Sequence, residues 1–355
     1  MLVDYLSRIP PLDEAAAESA RSRQAMLTKP AGSLGRLEDL SIQIAGITGQ
    51  ARPKLNHKVI ITMAGDHGVA RSGVSAYPPE VTPQMVLNFL RGGAAINVLA
   101  RQVGARVVVV DMGVTVDLSA HPELVIKKIG YGTENITMGP AMTRDQAERA
   151  ILAGIEVIEA EIERGLDIVG TGDMGIGNTT PSAAIAAALT GQSPSVITGR
   201  GTGVDDAGLA RKIDAIETAI RINQPDPLDA LDVLSKVGGF EIGGLAGVMI
   251  GAAVQRRPVM VDGFISTAAA MIAVTLAPQV RPYLIAAHRS QERGHQIMLD
   301  WLGLNPLLDF NLRLGEGTGS AIGISLAEAA CRILDEMATF AEAGVSEKDS
   351  APERI

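Results

Sequence analysis

Residues 167–190 read DIVGTGDMGIGNTTPSAAIAAALT. Asp167–Val169 is a short β-rich run, and the glycine-rich turn after it opens a helix. Thr180 is the expected N-cap of that helix and Pro181 its first residue. The same order recurs along the chain. Val59–Met63 precedes AGDHG, Val107–Val110 precedes DMG, and Val196–Thr198 precedes GRGTG. Pro258–Val261 precedes DGF, and Tyr283–Ala286 precedes AHRS. Between these runs lie helical patterns at Met85–Val103, Arg144–Arg164, Asp206–Ile222 and Phe264–Leu276. Strands alternating with helices predict an α/β fold, a Rossmann-like, mostly parallel sheet with helices on both faces. Ligands of such sheets bind beyond the carboxyl ends of the strands. The unusual Gly, Asp, His and Ser residues all fall at those ends.

The chain ends read differently. Asp13–Leu27 and Leu37–Ile47 are helical, with the turn LTKPAGSLGRLE between them, and a last helix covers roughly Thr318–Glu342. The expected division is a small helical subdomain from residues 1–50 and 318–355, and a large α/β nucleotide-binding domain over 51–317. The polar tail AGVSEKDSAPERI is expected to fray.

Composition narrows the function classes. The 355 residues are 46% apolar but only 3% aromatic, with 39 glycines, which favours close helix–sheet packing. Lys and Arg number 31 against 40 Asp and Glu, a net charge of −9, which argues against a general nucleic-acid binder. The single cysteine, Cys331, excludes an intrachain disulfide and a cysteine metal cluster. The first 20 residues carry four acids and no apolar signal core. No run is long and apolar enough for a membrane span. A cytoplasmic protein is expected.

Several side chains are candidates for chemistry. In NLRLGEGTGSAIGIS (311–325), Glu316 stands between glycines at the mouth of a helix. It either takes a proton from a bound molecule or complements the helix dipole. Gly175–Thr180 offers amides and hydroxyls for a phosphate, or is a tight strand–helix turn. Its spacing is neither a P-loop nor the dinucleotide fingerprint. GRGTGVDD has the same two readings. Lys212 is a phosphate charge or a solvated lysine. Asp66-His67 lacks the spacing of a metal site, and no GxSxG elbow supports a serine nucleophile. Ser290 is an N-cap, a phosphate contact, or both. Asp262 binds ribose hydroxyls or holds a neighbouring loop.

Longer strings carry a resemblance. KPAGSLGRLE (29–38), AGDHGV (64–69), GGAAINVLARQVGA (92–105), MGIGNTTPSAA (174–184), PVMVDGF (258–264), APQVRPYLIAAHRS (277–290) and LRLGEGTGSA (312–321) are joined by the long stretch 222–253. Together they resemble the nicotinate-nucleotide–dimethylbenzimidazole phosphoribosyltransferase family of cobalamin biosynthesis over nearly the whole chain. The resemblance implies phosphoribosyl transfer from nicotinate mononucleotide to 5,6-dimethylbenzimidazole, with inversion at C1′ and no cofactor or metal. It implies Glu316 as general base. It places Gly175, Ile176, Asn178, Thr179, Thr180, Gly201, Gly203, Lys212 and Ser290 around the nucleotide and its phosphate. It places Tyr77, Met85 and Leu314 at the benzimidazole. Asp262 joins the nucleotide set as a ribose candidate. Asp173 stands where the family often has Glu in a GEMGI string, and is the candidate supporting acid. The resemblance also implies a homodimer.

Overall fold

The structure is a computed structural model that describes residues 1–118 and 121–346. The end of the polar tail, 347–355, lies outside the described residues. Six strands form one sheet: β1 (Lys58–Gly65), β2 (Ala105–Gly113), β3 (Leu124–Ile126), β4 (Ile168–Met174), β5 (Val259–Val261) and β6 (Leu284–Ala286). Their order is β3-β2-β1-β4-β5-β6, and every pairing is parallel. This is the doubly wound order, whose topological switch point lies between β1 and β4. All eight residues of β1 are buried. Val59, Ile60, Ile61 and Met63 are each 0% exposed, and full burial of such a side chain stabilises by roughly 1.5–3 kcal/mol.

Five of the six expected strands form. Val196–Thr198 does not: Pro194–Ile197 is a single helical turn. Pro194 sits at its first position with φ already helical and no N–H to give a ladder, and Thr198 Oγ1 donates back to Pro194 O at 2.6 Å. The sixth strand is Leu124–Ile126, an edge of three residues too short to stand out in the sequence. The strand expected at Asp167–Val169 runs on through Gly170, Thr171 and Gly172. A Cβ on Gly170 would come within 2.8 Å of Ser320 Cβ, so the helix beginning at Thr318 packs directly on β4.

The segment expected as one helix from Met85 to Val103 is two, Val81–Leu90 and Ala95–Val103. Gly92 adopts φ +75° at the break. The break creates a fresh helix N-terminus at Ala95. Phe240–Val254 is a further helix, buried almost throughout. It packs on Arg144–Glu163 backbone to backbone: a Cβ on Gly154 would lie 1.9 Å from Gly244 O. Thr180 and Pro181 do not open their helix. It begins at Thr179 with Asn178 as N-cap residue.

Two compact units divide the chain. The larger takes Met1–Pro11 and Asn56–Ser325 and contains the whole sheet. Tyr283 anchors the first residues to it by donating to Pro10 O at 2.8 Å. The smaller takes Leu12–Leu55 and the chain from Leu326. Its helices Glu14–Met26 and Arg36–Thr48 meet the end of the helix Thr318–Glu336 around Ala20, Ala45 and Leu334. The helix expected to run to Glu342 stops at Glu336, the chain bridges Leu27 at Thr339, and a separate helical turn, Phe340–Ala343, follows. In the KPAGSLGRLE turn, Lys29 Nζ lies 2.8 Å from Glu38 Oε1, both largely buried. Removing one partner of such a pair costs about 3–5 kcal/mol.

Candidate active site

Glu316 lies at the switch point. It has φ +64°, and Gly315 and Gly317 on either side also have positive φ. Glycine adopts this region freely, but Glu316 is strained there unless neighbours hold it. Here it is held. Thr62 Oγ1, on β1, donates to Glu316 O at 2.9 Å. Gly317 N donates to Asp262 Oδ2 at 3.1 Å, and Ser320 N to Asp262 Oδ1 at 3.0 Å. On β4, a Cβ on Gly172 would fall 2.2 Å from Glu316 O, so only glycine admits the loop there.

The Glu316 carboxylate does not complement the helix it precedes, which Asp262 caps. It turns instead to the helix Ala95–Val103, where Ile96 N donates to Oε2 at 3.4 Å. Glu316 is 6% exposed. Burial raises its pKa, the Ile96 amide opposes the rise, and Asp262 adds to it. The result is a carboxylate more basic than usual, with a helix N-terminus favouring its charged form.

Asp173 is the penultimate residue of β4, beside this loop. Its Oδ2 accepts from Asn178 Nδ2 at 2.9 Å, while Oδ1 is buried without a partner. A Cβ on Gly315 would touch its carboxyl at 3.2 Å. Burial, with Asp262, Glu241 and Glu316 nearby, pushes its pKa well up, which favours the neutral acid. Asp262 itself is 1% exposed and commits both oxygens to backbone amides, with His288 Nε2 at 3.8 Å. These two bonds hold the Glu316 loop.

A second cluster forms around Lys212, which is 1% exposed rather than solvated. Its Nζ donates to Thr179 Oγ1 at 2.8 Å. Both atoms would lie 2.8 Å from a Cβ on Gly201, so that turn closes directly on them. Burial lowers the Lys212 pKa to about 8, and the Glu292 carboxylate opposes the fall. Glu292 accepts from Gly201 N and keeps Oε2 buried and unpartnered. The Thr180 hydroxyl is also buried without a partner. A cavity of about 510 Å³ opens here, lined by Gly199, Gly201, Gly203, Glu292, Arg293 and Arg313 among others. A buried ammonium, a threonine hydroxyl and a helix N-terminus suit a phosphate.

The rest of the loop after β4 is held from β1 and from the helix Val81–Leu90. Ile176 N donates to Thr82 Oγ1 at 3.1 Å, and a Cβ on Gly175 would strike Gly65 O at 2.3 Å. Ser290 is not an N-cap, since its helix starts at His295 after Gly294. Tyr77 and Leu314 are 56% and 58% exposed, and Met85 is half-buried. The Tyr77 loop is tied to the Gly201–Gly203 turn by Ala76 N donating to Thr202 Oγ1 at 3.0 Å.

Residues 9–345 match a family model described as a phosphoribosyltransferase. The chain belongs to this family. It is 65% identical to the nicotinate-nucleotide–dimethylbenzimidazole phosphoribosyltransferase of Roseiflexus sp. (strain RS-1), over 98% of this chain and 99% of that protein. It is 63% identical to the protein of the same name from Chloroflexus aggregans, over 99% of both. The crystal structure of the Thermus thermophilus protein of that name superposes with a TM-score of 0.90 at 45% identity. That match covers 95% of this chain and 100% of the other.

Within this phosphoribosyltransferase, Asp66 and His67 serve the framework. His67 Nε2 lies 2.8 Å from Glu241 Oε1, both buried, and Asp66 Oδ2 accepts from Thr115 N and Oγ1. Among the described residues, no three His, Cys, Asp or Glu gather as metal ligands. Sequence reading missed Glu292, His295 and the Ile96 amide. The only signal for the first two was the string RSQERGH after β6, unusually rich in polar groups for a strand–helix connection.

Proposed function

We propose that this enzyme transfers the phosphoribosyl group of nicotinate mononucleotide to 5,6-dimethylbenzimidazole, with Glu316 as general base. The names of its relatives support the substrates. The observation that carries the mechanism is the Glu316 carboxylate: 6% exposed, at the switch-point crevice, more basic than an ordinary carboxylate.

The benzimidazole ring nitrogen attacks C1′ on the face opposite nicotinate. The C1′–N bond breaks, and its electron pair neutralises the pyridinium nitrogen of the leaving nicotinate. The leaving group is thus already activated. Positive charge grows on the attacking base instead, and its N–H proton passes to Glu316. A positioned base contributes about 10²- to 10⁴-fold. The products are nicotinate and α-ribazole 5′-phosphate, inverted at C1′. Lys212, Thr179 and the amides of Gly175–Thr180 hold the 5′-phosphate, with Ser290 beside them. Tyr77, Met85 and Leu314 flank the acceptor base.

Incubation of the enzyme with both substrates should release nicotinate and α-ribazole 5′-phosphate in equal amounts by chromatography and mass spectrometry. No release, or release independent of the benzimidazole, would overturn the reading. A panel including adenine would define the acceptor range, since apolar pockets discriminate a methyl group only weakly. A homodimer is the expected working unit, and light scattering should give about twice the 37.0 kDa chain mass. The cytoplasm is the expected compartment, in keeping with a single, buried, free cysteine.

A further inference from the structure

One buried hydrogen-bond relay crosses the site beneath the two clusters. Ser290 N lies 2.8 Å from His295 Nδ1. A peptide N–H can only donate, so Nδ1 carries no proton and the ring is protonated at Nε2 alone. Nε2 lies 2.8 Å from Thr267 Oγ1, and that hydroxyl lies 2.7 Å from Gly263 O. A carbonyl can only accept, so the threonine proton goes to Gly263 and its lone pair receives the imidazole N–H. Every direction is therefore fixed: Ser290 N–H to His295, His295 to Thr267, Thr267 to Gly263. The other tautomer, or a charged ring, would turn an N–H against the Ser290 N–H.

The surroundings select the same state. His295 is 0% exposed, and burial with His288 nearby pushes its pKa down to about 3. The His288 ring lies 6.2 Å away and the Phe264 ring 6.4 Å away, edge-on. Asp262 faces His288 rather than His295.

The ends of the relay give it meaning. Ser290 is the residue beside the 5′-phosphate in the proposed reaction. Gly263 directly follows Asp262, whose carboxylate holds the Glu316 loop. The relay thus runs from the Ser290 backbone at the phosphate end to Gly263, the neighbour of Asp262.

We propose that His295 is a positioning residue for the nucleotide: its neutral Nε2–H tautomer fixes the Ser290 backbone in the conformation that receives the 5′-phosphate. This rests on the phosphoribosyltransferase reading. It concerns binding of one substrate, and so can be read without turnover.

Three measurements on the full-length protein test it. A long-range ¹H–¹⁵N correlation spectrum should show His295 neutral and protonated at Nε2 from pH 5.5 to 8.5. His295→Asn keeps an acceptor where Nδ1 stood, whereas His295→Phe removes it. Losing a hydrogen bond to a charged ligand costs on the order of 10- to 100-fold in affinity. His295→Phe should therefore raise the nucleotide KM and the Kd of inorganic phosphate by roughly 10- to 100-fold, leaving the benzimidazole KM within about twofold. His295→Asn should stay near wild type in all three. An Nδ1–H or charged ring overturns the proposal, as does a His295→Phe protein with unchanged phosphate affinity or with both KM values raised alike. If His295→Phe does not fold, the wild-type tautomer and the His295→Asn phosphate Kd decide. Failure of the wild type to form product would instead strike the reaction, leaving the phosphate and tautomer measurements standing.

Discussion

Glu316 Oε2 and the backbone nitrogen of Ile96 lie 3.4 Å apart, although 220 residues separate them in sequence. The contact exists because the chain breaks at Gly92 and starts a new helix at Ala95. A helix N-terminus favours a negative charge near it by about 0.3–1 kcal/mol. Burial works the other way and makes the carboxylate more willing to take a proton. A general base needs both, since it must be ionised before the reaction and proton-seeking during it.

Glu316→Gln should lower turnover by about 10²- to 10⁴-fold, the usual contribution of a positioned base. Glutamine still accepts from Ile96 N, so the melting point should move by only a few degrees. Nucleotide affinity should stay within a few-fold, because the phosphate is held elsewhere. In the wild type, kcat should fall on the acid side at a pH above the ordinary glutamate range, since burial raises this pKa. Near-normal turnover in the variant would remove Glu316 from the mechanism.

The strand ends were legible because parallel strands buried on both faces read as near-continuous apolar runs, as Val59–Met63 does within β1 with Thr62 its one polar residue. The glycine turns were legible because close backbone approach leaves no other residue. Val196–Thr198 misled because a β-branched run looks the same whether or not a proline precedes it as helix opener. Met85–Val103 misled because its apolar period continues across Gly92-Gly93. Glu316, Lys212 and Asp173 stood out as candidates in local strings. Glu292 and His295 did not, because their partners come from distant segments: Gly201 for one, Thr267 for the other. Asp262 left two readings open, and its bonds to the amides of Gly317 and Ser320, which bear on the loop-holding one, come from a segment distant in sequence.

Lys212 should set an alkaline limit on nucleotide capture. Its pKa is lowered to about 8, so the ammonium is lost as pH rises through that value. The profile of kcat/KM for the nucleotide should fall above about pH 8, because this ratio reports the free enzyme. Lys212→Ala should weaken nucleotide binding by roughly 10- to 100-fold, the loss of a charge-assisted contact, and abolish the limb. Glu292→Gln removes the carboxylate that opposes desolvation of Lys212, so the limb should move to lower pH. A profile flat to pH 9.5 would show that Lys212 does not carry the phosphate.

Asp173→Asn tests whether this acid is already neutral. Burial and three neighbouring carboxylates push its pKa well up. The amide matches the protonated acid in shape, so turnover at pH 7.5 should stay within a few-fold and stability should hold or rise. A loss beyond about tenfold, about 1.4 kcal/mol on the barrier, would mean that the reaction needs Asp173 ionised.

Catalytic placement and general stability can be separated at Gly172. A Cβ there would meet Glu316 at 2.2 Å from its carbonyl oxygen and 2.5 Å from its carbonyl carbon. These are backbone atoms, pinned by Thr62 and, through Gly317, by Asp262, so no side chain can swing aside. Gly172→Ala must therefore shift the loop by on the order of 1 Å, enough to cost roughly 100-fold in turnover. Overpacking of this kind also destabilises by about 1–3 kcal/mol. Gly191→Ala is the control. Gly191 has φ +70° at a helix end with nothing within 4 Å of its would-be Cβ. Alanine there is strained by roughly 1–2 kcal/mol without touching the site. The two variants should lose similar stability by thermal melting, but only Gly172→Ala should lose turnover. Inorganic phosphate should bind Gly191→Ala as it binds the wild type and Gly172→Ala within a few-fold, because Lys212 and Thr179 pair with each other and meet the Glu316 segment through Arg313 Nη1, which donates to Gly201 O at 3.3 Å. Equal activity in the two variants would show that the β4–Glu316 contact supports the fold alone.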